Sequence, residues 1–318
     1  MGERRWDVLA MGRSSIDLYA NDIGAPFPQI RSFAAYVGGC PTNISVGTRR
    51  LGLRSALLTA IGDDPVGDFV LAFLNAEGVE TGFVARKPGR RTSAVLLGIE
   101  PPDRFPLVFY RDNCADIAID VDDVLGAPLG DARLVLITGT GLSAEPSRSA
   151  TLYAAELAAS AGAAVFVDLD LRPTLWHDPR AFGPTLRSAL RCAEAAIGTE
   201  EEVCAAAGAD GIGEAVRRLQ DAGARTVVVK QGARGSTVFD GAREMHADPF
   251  PVDVCNVLGA GDAFASGLIY GFLRGWDWHR AARMGNACGA IVVTRHGCAN
   301  FMPYEQETLD FVRARGGF

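Results

Sequence analysis

Six short runs rich in Val, Ile, Leu and Ala, at residues 8–11, 56–61, 134–138, 164–169, 195–197 and 226–230, are apolar at successive positions rather than alternate ones. Strands that are apolar on both faces are buried on both faces. Between them, at 42–51, 66–76, 148–160, 213–221, 263–274 and 278–294, apolar residues recur with helical spacing. This alternation predicts a doubly wound α/β fold, a mostly parallel sheet covered by helices on both sides, in one domain over residues 1–318. Two stretches break the pattern. Residues 13–37 lack helical spacing and carry Asn21-Asp22, Gly24, Pro26 and Pro28; residues 91–111 read as two strand-like runs around a Pro101-Pro102-Asp103 turn. They predict a small antiparallel flap, formed by about 13–37 and 91–111, at the sheet edge; an ordinary edge hairpin fits the same pattern.

Composition narrows the partners. The net charge is −7, Lys occurs only at 87 and 230, and Arg is scattered, so there is no basic stripe to neutralise nucleic-acid phosphates. No segment reaches the roughly 18 apolar residues of a membrane span, and the apolar run after MGERRW is too short for a leader. The seven cysteines are odd in number and never spaced Cys-x-x-Cys, which predicts reduced thiols in a cytoplasmic protein. Glycine is in excess, 37 of 318 residues. The glycines sit singly or in pairs at the ends of apolar segments, where some turn the chain and others can bring backbone amides up to a ligand.

One such place is Asn256-Val257-Leu258-Gly259-Ala260-Gly261-Asp262, directly before a helical segment. Two glycines at a helix N-terminus leave amides facing a space without Cβ atoms, and the helix dipole adds partial positive charge. Asp262 in the first turn suits a general base beside an oxyanion cradle; a plain Gly/Asp helix start fits the spacing as well. Gly38-Gly39-Cys40-Pro41-Thr42-Asn43 opens a helix, Gly62-Asp63-Asp64-Pro65-Val66-Gly67 joins a strand to a helix, and Lys230-Gln231-Gly232-Ala233-Arg234-Gly235 follows a strand. A competing pattern is Gly139-Thr140-Gly141-Leu142-Ser143-Ala144 with Asp168 downstream, which fits a dinucleotide fingerprint except that Glu145-Pro146 delays the helix. There is no G-x-x-x-x-G-K-[ST] and no G-x-S-x-G, which excludes P-loop and nucleophile-elbow chemistry.

In this order, over about residues 6–304, these motifs resemble the ribokinase-like (PfkB) carbohydrate kinases, most specifically through Gly259-Ala260-Gly261-Asp262. The resemblance implies an α/β sandwich with a β lid and transfer of the ATP γ-phosphoryl group, with magnesium, to a sugar hydroxyl. It implies Asp262 as base; Gly259, Ala260 and Gly261 as anion hole; Asp17, Gly38, Gly39 and Asn43 at the sugar; and Lys230, Gly232, Gly235 and Asn286 along ATP. Gly12-Arg13…Asp17-Leu18-Tyr19, Phe109-Tyr110-Arg111 and Asp168-Leu169-Asp170…Arg172-Pro173…Trp176 are most similar to the branch that phosphorylates 5-dehydro-2-deoxygluconate in myo-inositol catabolism. The kinases of 2-keto-3-deoxygluconate share part of that pattern. Arg111 and Arg172 at strand ends would match a sugar-acid carboxylate, or be two surface arginines among many. Where relatives carry Asn-x-x-Glu near the metal and phosphates, this chain has Thr199-Glu200-Glu201-Glu202, with Glu202 as the metal candidate. Asn256 replaces the Asp that commonly opens the glycine loop, which bears on a monovalent-cation site. A neutral-sugar or nucleoside kinase, a non-catalytic ligand-binding relative and an NAD-dependent dehydrogenase are the alternatives. An exposed flap edge leaves room for a homodimer.

Overall fold

The computed structural model describes residues 4–101, 104–241 and 243–318. Residues 1–3, where the N-terminal stretch begins, and Pro102 and Asp103 of the expected flap turn lie outside the described residues.

Thirteen strands are described: β1 Trp6–Met11, β2 Ser15–Ala20, β3 Phe33–Gly38, β4 Ser55–Gly62, β5 Val84–Lys87, β6 Ser93–Leu97, β7 Leu107–Tyr110, β8 Ala132–Thr138, β9 Ala164–Asp168, β10 Ala195–Thr199, β11 Thr226–Lys230, β12 Ser236–Asp240 and β13 Arg243–Ala247. Nine form one sheet in the order β13-β12-β11-β10-β9-β8-β1-β4-β5. Its seven strands from β11 to β5 are parallel, and β12 and β13 add an antiparallel edge. The six apolar runs of the sequence are the six strands at its centre. Successive residues of β1 face opposite ways: Leu9 and Met11 enter one hydrophobic cluster, Val8 and Ala10 the other. Both faces are therefore covered, and no alternation survives in the sequence.

The second sheet has the order β3-β2-β6-β7. Two antiparallel hairpins, β2 with β3 and β6 with β7, are joined by a parallel pairing of β2 with β6. The helix Ala260–Leu273 is packed tightly against Trp278–Val292 through missing side chains: a Cβ at Gly267 would lie 2.7 Å from the Met284 carbonyl oxygen, and one at Gly285 2.8 Å from that of Phe264. These glycines neither turn the chain nor face a ligand. They let two helices approach and so fix the angle at which the first one enters the site.

Candidate active site

The site lies beyond the C-terminal ends of the parallel strands, where β1 is flanked by β4 on one side and β8 on the other. The order in which successive strands are added to the sheet reverses there, the place at which open α/β sheets bind ligands. Loops after β1, β3, β9 and β11 and the N-terminus of the Ala260–Leu273 helix converge on two cavities.

The larger cavity, about 490 Å³, is lined by Lys230, Gly232, Gly235 and Asn286 together with apolar residues such as Phe250 and Val293. It falls in the ordinary size range of a small-molecule pocket. Asn286 is held in place by donating Nδ2 to the carbonyls of Ala247 and Asp248, at 2.9 and 3.0 Å. Lys230 reaches inward from the end of β11, with Nζ 3.4 Å from Asp168 and 3.9 Å from Glu202. Burial opposes the ammonium charge, but these two carboxylates outweigh it and hold the Lys230 pKa above its ordinary value. Asp168 is raised by burial against the pull of Lys230. The partnership with Lys230 assigns Asp168 a role other than binding a ribose, and Gly139–Leu142 forms a buried 3-10 turn in which a Cβ at Gly139 would overlap the Leu169 carbonyl. The dinucleotide pattern is thus explained by close packing.

The smaller cavity is a crevice of about 60 Å³ beneath the four-stranded sheet, and it contains Asp17, Gly39, Asn43, Arg172 and Asp262. Gly38 acts at one remove: a Cβ there would overlap the Asp17 carboxylate. Gly39 has φ +104°, and a Cβ on it would overlap the Arg13 carbonyl. Asp170, with φ +34° and buried, accepts from Thr140 Oγ1 at 2.8 Å and pairs with Arg172 Nη2 at 3.1 Å.

Arg111 does not enter the crevice. Its guanidinium is buried against Asp116 at 2.7 Å, Ser143 Oγ at 2.7 Å and the Thr140 carbonyl at 3.0 Å. With its two hydrogen bonds this ion pair ties the end of β7 to the loop after β8 and engages all three guanidinium nitrogens away from the crevice. Arg13, Asp170, Tyr19 and Phe109, which the sequence reading did not assign to the site, line it instead.

Between the cavities stands the glycine loop. Ala260 and Gly261 face the larger one, and Gly259 and Asp262 the crevice. Gly259 is the N-cap in a left-handed conformation, φ +82°. Among the described residues the N–H groups of Gly259 and Gly261 have no backbone acceptor, whereas that of Ala260 donates to Val257 at 3.3 Å and so is the less available of the three expected donors. Asp262 accepts from Asn43 Nδ2 at 2.7 Å. Burial raises its carboxyl pKa, the Asn43 bond lowers it, and Asp170 raises it. Because the Asn43 donor favours the ionised form, Asn43→Leu is expected to shift the acid limb of the kcat/KM profile to higher pH; an unmoved limb in the pH–rate profile would count against Asp262 as the ionising base.

Glu202 closes a capping box on the helix Glu200–Ala207, its Oε2 accepting from the Thr199 N–H at 2.7 Å and its Oε1 from the Leu171 N–H at 3.2 Å. It is a cap and a partner of Lys230, and it does not line either cavity. Among the described residues no three His, Cys, Asp or Glu side chains are placed to hold a metal ion. Among the described residues Asn256 accepts the Leu258 N–H with Oδ1 at 2.9 Å and leaves Nδ2 buried without an acceptor.

Comparison with known proteins agrees with this geometry. The chain is 33% identical over 313 residues to a 5-dehydro-2-deoxygluconokinase of Geobacillus thermodenitrificans, covering 96% of this chain and 93% of that protein. It is 34% identical over 315 residues to one of Shouchella clausii, covering 98% and 95%. A fructokinase with bound ATP from Xylella fastidiosa superimposes with a TM-score of 0.86 at 26% identity, over 97% of this chain and 98% of that one. No helix among the described residues is long and apolar enough to cross a membrane. The family model of the pfkB family carbohydrate kinases matches residues 6–305, and the chain belongs to that family.

Proposed function

We propose that the protein phosphorylates the terminal hydroxyl of a small sugar acid, 5-dehydro-2-deoxygluconate, with MgATP as donor, in the cytoplasm, where ATP is available and its seven free cysteines stay reduced. The observation that carries the reading is the glycine loop standing as the partition between a nucleotide-sized cavity and a carboxylate-lined crevice. In that arrangement Asp262 takes the hydroxyl proton as the oxygen attacks the γ-phosphorus, and the ADP oxygen leaves. The free amides of Gly259 and Gly261 and the positive helix end meet the charge on the transferring group. Lys230 supplies a fixed cation on the nucleotide side. The four-stranded sheet acts as a lid that excludes water, so that the sugar rather than water is the acceptor.

The substrate assignment draws on the two relatives named above and on Arg172 in the crevice. ADP release with magnesium, measured across sugar acids, neutral sugars and nucleosides, tests it. The highest kcat/KM is expected with 5-dehydro-2-deoxygluconate; a preference for a neutral sugar overturns the acid reading, and no turnover on any member overturns the kinase reading. Arg172→Ala is expected to raise KM for the acid by about 10- to 100-fold, the worth of a charge-assisted hydrogen bond, with ATP KM unchanged. An equal rise for acid and ATP would remove Arg172 from the sugar site.

A further inference from the structure

With Arg111 turned into its ion pair with Asp116, Arg172 is the only one of the two expected arginines that reaches the crevice, and it is already paired with Asp170. Arg13 follows β1 and lines the same crevice beside Asp17 and Asp262. It is 6% exposed, as deeply buried as a core residue. A guanidinium carries five N–H donors. Among the described residues the one side-chain hydrogen bond of Arg13 runs from Nη1 to Ser15 Oγ at 2.8 Å, and Nε is buried with no acceptor. Asp17 is reached only through that hydroxyl, which donates onward to Oδ1 at 2.7 Å. A buried guanidinium left with unmet donors and no direct carboxylate is costly unless a ligand completes it.

The group is also held still. Its carbonyl accepts from Thr42 Oγ1 at 3.1 Å, and its guanidinium lies 5.5 Å from the ring centroid of Phe109 on β7. The first turn of the helix Cys40–Arg50 thus fixes its backbone, while the lid sheet covers its charged end. A neutral hydroxyl could accept one of the free N–H groups but would leave the charge unmatched. A carboxylate matches both the planar donor fork and the charge.

The geometry points to Arg13 as the residue that binds the carboxylate of the sugar acid, the part first sought in Arg111. This rests on the sugar-acid reading above. The test is steady-state kinetics of wild type and Arg13→Met with 5-dehydro-2-deoxygluconate and ATP varied in turn. KM for the acid is expected to rise by about 30- to 100-fold, with kcat within tenfold and KM for ATP within twofold, since only the charge-assisted bonds to one substrate are lost. A rise of less than tenfold, or a parallel rise for ATP as a merely structural role would give, overturns the inference. If the Met variant does not fold, Arg13→Gln, which keeps a polar stem but no charge, carries the same expectation. A wild-type enzyme that turns over no sugar acid overturns the underlying reading and this inference together, an outcome distinct from an active wild type with an unaffected variant.

Discussion

The Asp262→Asn enzyme is expected to bind ATP as well as wild type and to lose between about a hundredfold and ten-thousandfold in kcat, the usual contribution of a positioned general base. The substitution keeps the shape of the side chain and an oxygen able to accept from Asn43 Nδ2, so the helix start and the crevice persist. What disappears is the capacity to take a proton. Burial raises the Asp262 carboxyl above its ordinary value, so wild-type kcat/KM should fall as pH drops through that raised pKa, where the base becomes protonated. The variant should lack this acid limb. Calorimetric titration with ATP and a pH–rate profile read both halves. A kcat within tenfold of wild type would remove Asp262 from proton transfer.

Asp262 and its glycine loop were legible as one motif because they adjoin one another in the sequence, at one helix start. Lys230, Gly232 and Gly235 were legible for the same reason, and all three line the larger cavity. Of the arginines, Arg172 was named for the site and lines the crevice, whereas Arg13, which lines it too, was not named for it. Arg111 and Arg13 both adjoin strand ends, and which one faces the crevice is settled by contacts with Asp116, Ser143 and Thr140, a local partner and two from a distant loop. Glu202 is a different case. Thr199-x-x-Glu202 is also a capping-box spacing, and the structure shows that capping box at the start of the helix Glu200–Ala207.

The fold divides along similar lines. Strands such as β4, buried over their whole length, announce themselves as apolar runs. The strands at the two edges, β5 and β13, were not among the expected elements, because β5 carries Arg86 and Lys87 and β13 is mostly exposed. The lid could be read as two strand-bearing stretches, but its parallel β2–β6 joint could not. Residues 15–19 pair there with 93–97, and no local pattern records so distant a partnership.

Gly261→Ala should separate catalysis from folding with opposite signs. Gly261 lies in the first turn of the Ala260–Leu273 helix, and a Cβ there would meet only the Lys230 side chain, with Nζ at 3.1 Å. Alanine is the better helix former and restricts the unfolded chain, effects of about 0.4–1 kcal/mol. The thermal midpoint is therefore expected to hold or to rise by a degree or two. The new methyl group, however, projects into the larger cavity beside a free amide of the cradle and crowds the cation facing it. Turnover is expected to fall by about 100- to 1,000-fold, as when one donor of an oxyanion site is lost. Gly259 cannot make this distinction: with φ +82° and a would-be Cβ 3.0 Å from Cys298 Cβ, its replacement strains the backbone and the packing along with the site. At Gly261 no such strain exists, so the cause of any lost activity is the space itself. Calorimetry and initial rates on Gly261→Ala decide the point, and a stable variant with kcat within threefold of wild type would show that the phosphoryl group does not pass there.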